Sequence, residues 1–267
     1  MPGDKPCRRF IIHGLRLLLL SDIHSNLEAL EACLAAAPPH DAVANLGDVV
    51  GYGASPNEVT ARARELGGTF VRGNHDKVVA DIDSIESFNP MAGVAALWNR
   101  AQLTSDNLDW LRNLPKGPQV VPELSGVQLV HGAADDEDRY VVTFQDANQQ
   151  LANTEQPITF FGHTHVQGGF LLRSDFGPVE DVLPAYSSVG KHESWDLKLE
   201  VSARYLINPG SIGQPRDGDW RAAFAIFDSE ERKVTFCRVP YDLRSAQEKI
   251  FNANLPARLA TRLAAGR

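Results

Sequence analysis

The sequence predicts an α/β (α+β) fold in which two packed sheets carry helices on their outer faces, built as one domain over residues 15–267. Three observations carry that expectation. The first half alternates short apolar runs with helical patterns, the rhythm of a parallel sheet covered by helices. The second half is rich in strand-like runs. Residues capable of chemistry fall just after the predicted strands, where open α/β sheets form ligand sites, and not within them.

Residues 16–21 open the fold as a buried strand centred on Leu17-Leu18-Leu19-Leu20. Lys5, Arg8 and Arg9 precede it, yet the apolar run is far too short to cross a bilayer and passes directly into Ser21-Asp22-Ile23-His24, with no cleavage site. Residues 1–14 are therefore expected to be a flexible leader and not a targeting segment. A helix over 27–37, a strand over 42–46 and a helix over 56–66 follow, the last with Ser55 at its N-cap and Pro56 in its first turn. Residues 69–72 make the third strand of this β-α-β-α-β series. A helical region spans 90–114, with Trp98, Leu103, Leu108, Trp110 and Leu111 as its apolar positions. Strands are then expected at 127–130, 158–161, 169–172, 203–207, 222–227 and 233–239, the last two forming a hairpin across 228–232. Helical segments at 243–252 and 256–264 close the chain.

Bulk properties narrow the function classes. A chain of 267 residues buries roughly three-quarters of its unfolded surface, ample for an extensive core. The net charge of -8 argues against general nucleic-acid binding, which needs a basic face. It leaves room for a phosphorylated substrate, because bound cations reverse the local field. Cys7, Cys33 and Cys237 are odd in number, far apart and without CxxC spacing, so reduced thiols and a cytoplasmic location are expected, with no membrane association.

Six short islands hold the chemistry: Asp22-Ile23-His24, Gly47-Asp48, Gly73-Asn74-His75-Asp76, His131-Gly132, Gly162-His163-Thr164-His165 and Asn208-Pro209-Gly210-Ser211. The first five supply Asp, His and Asn, the donors that borderline-hard divalent metals take. Asp22 and His24 lie two apart, as do His163 and His165, so in extended segments each pair would share a face. Asp48 has two oxygens with which to bridge two ions, and Asn74 offers a neutral amide oxygen. Singly, Asp-x-His is more often a cap or a surface pair, and Gly-Asn-His-Asp is more often a turn. Five of the eight histidines in these islands, in this order, make a two-metal hydrolytic centre the reading that accounts for all of them.

The order D-x-H, GD, GNH(D/E), H, GHxH resembles the calcineurin-like metallophosphoesterase superfamily, in its compact bacterial form, from Asp22 to His165. The resemblance implies a four-layer αββα sandwich, two mixed sheets flanked by helices. It implies that Asp22, His24, Asp48 and His165 hold one divalent ion, and Asp48, Asn74, His131 and His163 a second, with Asp48 bridging. His75 would stand beside the leaving group as a non-ligand acid, in imidazolium form, with Asp76 as its orienting partner. The implied activity is hydrolysis of phosphodiesters, or of small phosphomonoesters, by a hydroxide that the dinuclear centre activates. Manganese, iron, zinc and cobalt all suit such thiolate-free N/O ligands. The partner would be a small phosphorylated compound, a nucleotide among the candidates.

Departures from the pattern narrow this further. Protein Ser/Thr phosphatases of the superfamily continue the second island as GDxVDRG, whereas this chain reads Gly47-Asp48-Val49-Val50-Gly51-Tyr52-Gly53 and lacks that arginine. A protein phosphatase is thus the weaker alternative. A non-catalytic scaffold is weaker still, because His75 and all seven presumed ligands are present. Tyr52 either faces the substrate or packs over its loop. Arg72 and Arg216 are the candidates for a phosphate grip, a structural role being the alternative for each. The acidic run Asp135-Asp136-Glu137-Asp138 is expected to be a solvated face outside the site, and His13, His40 and His192 to be exposed.

Overall fold

The computed structural model describes residues 14–174, 177–188 and 190–267. The expectations for the leader at 1–14 and for His13 lie outside the described residues, apart from Gly14 itself. The chain opens with β1 (Arg16–Leu20), α1 (Leu27–Ala36), β2 (Ala42–Asn45), α2 (Pro56–Leu66), β3 (Thr69–Phe70) and α3 (Asn74–Val79). Next come α4 (Pro90–Gln102), α5 (Ser105–Arg112), β4 (Gln119–Val120), β5 (Val127–Leu129), α6 (Phe144–Ala152) and β6 (Ile158–Phe160). Strands β7 (Gly168–Leu172), β8 (Val179–Val182), β9 (Glu193–Lys198), β10 (Arg204–Asn208), β11 (Ala222–Asp228) and β12 (Lys233–Val239) precede α7 (Leu243–Asn252) and α8 (Ala257–Thr261).

Two six-stranded mixed sheets result, ordered β3-β2-β1-β11-β12-β9 and β4-β5-β6-β10-β7-β8. In the first, β1, β2 and β3 run parallel, while β1–β11, β11–β12 and β12–β9 are antiparallel. In the second, β5, β6 and β10 run parallel and β4, β7 and β8 pair antiparallel at its edges. Alternation along β1 shows how the layers stack. Leu17 and Leu19 point between the sheets, with Leu129, Phe160, Ile207 and Phe227. Leu18 and Leu20 point the other way, against Leu30 and Cys33 of α1 and Ile250 of α7. Beyond the second sheet, Leu206, Phe170 and Leu172 pack on Ala147 and Leu151 of α6. The result is the four-layer αββα sandwich, each buried leucine contributing about 1.5–3 kcal/mol of apolar transfer.

Most expected elements are found within a residue or two of their observed ends. The region 90–114 is instead two helices. Leu103 turns extended, and the Thr104 side chain caps the second helix by accepting from the Asn107 amide. Helices α3 and α6 and strands β4, β8 and β9 had no counterpart in the sequence reading. What positions the site is the strand direction: β1, β2, β3, β5, β6 and β10 all end at one edge of the sandwich, and an island follows or closes each.

Candidate metal centre

The islands converge into two adjoining clusters of buried side chains. Donor atoms of Asp22, His24, Asp48 and His165 lie within 4.8 Å of one another, and so do those of Asp48, His131 and His163. Asp48 belongs to both. Its Oδ2 sits 3.5 Å from His24 Nε2 and 3.4 Å from His131 Nε2, between the clusters, while Oδ1 accepts the His75 amide at 2.8 Å. Asp22 Oδ1 lies 3.2 Å from His165 Nε2. Asn74 Oδ1 joins the second cluster, 3.2 Å from His131 Nε2.

Each imidazole is fixed through its other nitrogen. His24 Nδ1 faces the Val50 carbonyl at 3.1 Å, His131 Nδ1 that of Leu46 at 2.7 Å, His165 Nδ1 that of Gln214 at 2.7 Å, and His163 Nε2 that of Asp138 at 3.0 Å. A carbonyl only accepts, so each of these nitrogens carries the proton and the inward nitrogen keeps its lone pair. The inward nitrogens meet in pairs, His24 Nε2 with His165 Nε2 at 3.0 Å and His131 Nε2 with His163 Nδ1 at 3.1 Å. Lone pairs facing one another beside two carboxylates repel, and a cation between them, a metal ion or at His131 a proton, removes the repulsion. The donor set therefore fits divalent metal ions, by chemistry independent of any likeness to other proteins.

Protonation tendencies agree. Burial pushes His163 down to about 3, and burial lowers His24 and His165 as well, so these rings are neutral ligands at neutral pH. His131 is the exception: burial lowers it, but the Asp48 and Asp22 carboxylates outweigh this and raise it to about 10, so without an ion a proton takes that place. Asp48 stays well below the usual carboxylate range, the charges of His131 and His75 overcoming its burial.

The backbone reaches this arrangement by a route the sequence did not suggest. Asp22 and His24 do not share a face of an extended segment, nor do His163 and His165. All four, with Asp48, adopt left-handed φ values between 49° and 66°. Such conformations cost of order 1–3 kcal/mol each and persist only where the surroundings over-determine them. Here the loops lock together: Asp22 N donates to Gly47 O, His24 N to Asp48 O, Gly213 N to Asp22 O, and Arg216 N to His165 O. Gly73 allows a close approach, since a Cβ there would lie 2.1 Å from Asp48 Oδ1.

Residues 15–232 match the calcineurin-like phosphoesterase superfamily domain. The chain belongs to that superfamily. As a calcineurin-like phosphoesterase it is 36% identical to the uncharacterized protein MJ0912 of Methanocaldococcus jannaschii, over 94% of this chain and 98% of that protein. A metallophosphoesterase of Sphaerobacter thermophilus superposes with a TM-score of 0.79 at 36% identity, covering 96% of this chain and all 100% of that one. The hypothetical protein PH1004 of Pyrococcus horikoshii shares the fold at 18% identity, with a TM-score of 0.74 over 94% of this chain and 98% of that one.

Around this calcineurin-like centre, other site residues are placed differently from expectation. His75 is buried, its ring 4.4 Å from Tyr52, 4.5 Å from Phe88 and 4.8 Å from His24 between centroids. Its Nδ1 has no hydrogen-bond partner among the described residues, and burial pushes it down to about 4, so the ring is neutral at pH 7 and not the imidazolium expected. Asp76 does not orient it. Adjacent residues in a first helical turn point to different sides, and the Asp76 oxygens accept instead from Val50 N at 3.2 Å and Gly73 N at 3.0 Å, tying the two loops together. Burial and the charge of Asp48 raise Asp76 to about 7.

Arg72 is no free phosphate grip. Its guanidinium makes a paired contact with Glu137, Nε to Oε2 at 3.1 Å and Nη2 to Oε1 at 2.8 Å. The acidic run is correspondingly not a plain solvated face: Glu137 is buried, and the Asp138 carbonyl fixes His163. Tyr52 is buried over His24 and His75, its hydroxyl 3.3 Å from Arg216 Nη2. Arg216 also reaches Gln214 Oε1 at 3.2 Å, and its bonds among the described residues go to neutral oxygens. His40 and His192 are exposed and away from the centre.

One support escaped the sequence reading, and a second was named there without a role. Asn99 in α4, fully buried, accepts from Ser25 Oγ at 2.6 Å and Gly51 N at 3.0 Å and donates to Gly53 O at 3.1 Å, stitching the first two islands together. A polar residue in a helix otherwise apolar on that side was the available signal. The sixth island acts as a buttress: Asn208 Nδ2 donates to Gly162 O at 2.8 Å and Thr164 Oγ1 at 3.0 Å, and Ser211 Oγ donates to Asp22 O at 2.8 Å.

Proposed function

We propose that this calcineurin-like protein is a metal-dependent phosphodiesterase, with Asp22, His24, Asp48 and His165 holding one divalent ion and Asp48, Asn74, His131 and His163 a second. The observation that carries this reading is the set of inward lone pairs, each fixed by a backbone carbonyl, around the shared oxygen of Asp48. When bound, manganese, iron, zinc or cobalt would supply Lewis acidity and an activated water for in-line displacement at phosphorus. The protein's part is orientation. Asp48 Oδ1 accepts the His75 amide and so couples the position of that ring to the bridging carboxylate. An orphaned acceptor costs less than an orphaned N–H, which places the His75 proton on Nε2 and not on the partnerless, buried Nδ1. His75 Nε2–H then donates to a phosphoryl or leaving-group oxygen as a neutral donor.

Charge balance supports a diester over a monoester. Lys77, the cation lining the cleft beside His75, is already neutralised by Asp138 at 2.5 Å and Asp83 at 3.0 Å. A singly charged diester needs less compensation there than a dianionic monoester. No helix among the described residues is long and apolar enough to cross a membrane. Cys33 and Cys237 are free and buried, which suits the cytoplasm. The test is turnover of bis-p-nitrophenyl phosphate against p-nitrophenyl phosphate, in metal-stripped protein titrated with Mn²⁺. Metal-dependent cleavage preferring the diester is expected. A monoester preference would overturn the substrate assignment, and inactivity on both with every metal would overturn the enzymatic one.

A further inference from the structure

A second cleft, of about 330 Å³, adjoins the candidate centre on the side of His163. Its size falls at the lower end of ligand-binding pockets. It is continuous with the centre through two residues. Thr164 lies between His163 and His165, and Tyr140 stacks on the His163 ring at 3.8 Å between centroids while lining both this cleft and the one beside His75. The walls are apolar side chains left in solvent: Val142 is 61% exposed, Val166 43% and Leu183 69%.

The polar groups of the walls are largely engaged. Gln167 Nε2 donates to the carbonyls of Pro209, Phe224 and Cys237, and its Oε1 accepts from Tyr186 and Arg238. Thr164 Oγ1 accepts from Asn208 Nδ2 and Val166 N. Among the described residues, Asp181 is the one charged residue lining the cleft, and it is negative. Such walls offer a nucleobase edge few side-chain partners beyond the Tyr140 hydroxyl and the Asp181 carboxylate, and would repel a second phosphate.

We infer that this cleft receives an organic substituent of the phosphate ester, and that the substituent is uncharged and apolar, aryl or alkyl. The inference rests on the phosphoesterase reading. Its test is calorimetric binding of methylphosphonate and 1-naphthylmethylphosphonate to Mn²⁺-loaded protein, in wild type and in Leu183→Asp and Val142→Asp. Both substitutions replace side chains exposed to solvent. The expected result is binding of both compounds, with the naphthyl compound at least ~10-fold tighter. That margin should shrink severalfold in the variants, with methylphosphonate affinity unchanged. Equal affinities in wild type, or a margin the variants leave intact, would overturn the inference while leaving the phosphoesterase reading in place. A dimer in solution that is dissociated by Leu183→Asp would assign the apolar face to a second copy and overturn it too. Failure of both phosphonates to bind, together with no ester hydrolysed, would remove the phosphoesterase reading itself.

Discussion

Replacing Asp48 with Asn changes almost nothing but charge, at the atom the two clusters share. The amide keeps an oxygen to accept the His75 N–H, now 2.8 Å from Oδ1, so the loop can keep its shape. What disappears is the negative charge on Oδ2, which stands 3.5 Å and 3.4 Å from the inward nitrogens of His24 and His131. At an effective dielectric of about 20, a unit negative charge and a divalent ion at that separation interact by about 10 kcal/mol. That figure is lost once for each ion, with a neutral amide oxygen recovering part of it. A residual loss of about 3–4 kcal/mol per ion means roughly 10²–10³-fold weaker binding at both positions. Metal content after gel filtration, with turnover of bis-p-nitrophenyl phosphate measured under Mn²⁺, reads both effects. Near-total loss of turnover and of both ions is expected. Two ions retained at wild-type rates would show that Asp48 bridges nothing, and loss of only one would confine it to a single cluster.

Further perturbations separate the remaining roles. His75→Ala should retain metal while lowering kcat by about 10²–10⁴-fold, least for leaving groups as good as p-nitrophenolate; an emptied centre would make His75 part of the ligand set. Gly51→Ala would put a Cβ 2.4 Å from His75 Nδ1 at a φ of +100°, so kcat should fall with metal content intact, and unchanged kcat would mean the ring's position is immaterial. Because His131 is raised to about 10 by its carboxylates, an ion must displace its proton. Mn²⁺ uptake at pH 8 should therefore release protons, measurable in weak buffer, and apparent affinity should climb with pH up to about 10; uptake without proton release would contradict this. The same raised value stabilises the metal-stripped protein fully below about 6.5 and is lost as pH rises through 10, so its Tm should fall over that window. Glu137→Ala strands Arg72, while Lys77 keeps Asp138 and Asp83, and a loss of about 2–4 kcal/mol in chemical denaturation is expected, where no loss would make the Arg72–Glu137 pair dispensable.

The fold was legible where periodicity and turn chemistry coincide. Four successive leucines in β1 could not say which face was which, but their position before Asp22 placed them in a parallel sheet, and α2 began at the Pro56 that marked it. The elements that stayed hidden are held by tertiary contacts more than by pattern. Strand β9 is a half-polar edge strand that exists because β12 offers it a partner, and α3 is six residues of Asn-His-Asp-Lys-Val-Val with no apolar stripe. Helix α6 did carry a signal, a capping box from Thr143 to Asp146, within a stretch otherwise too polar to stand out.

The centre was legible as a list of residues and illegible as geometry. Side-chain types named the donors, and the structure brings all seven together. The left-handed backbone at Asp22, His24, Asp48, His163 and His165 is not something a residue type discloses, because aspartate and histidine, though enriched in that region, still adopt it uncommonly, and here the neighbouring loops settle it. Partner assignments failed for the same reason. Asp76 and Arg72 looked available for catalysis because their nearest sequence neighbours are catalytic candidates, whereas Val50, Gly73 and Glu137, which claim them, are 26, 3 and 65 residues away.

The most direct measurement is an anomalous difference map from crystals grown with Mn²⁺. Two peaks are expected on either side of Asp48 Oδ2, one among Asp22, His24 and His165 and the other among Asn74, His131 and His163. A single peak, or peaks away from Asp48, would contradict the shared carboxylate on which the account rests.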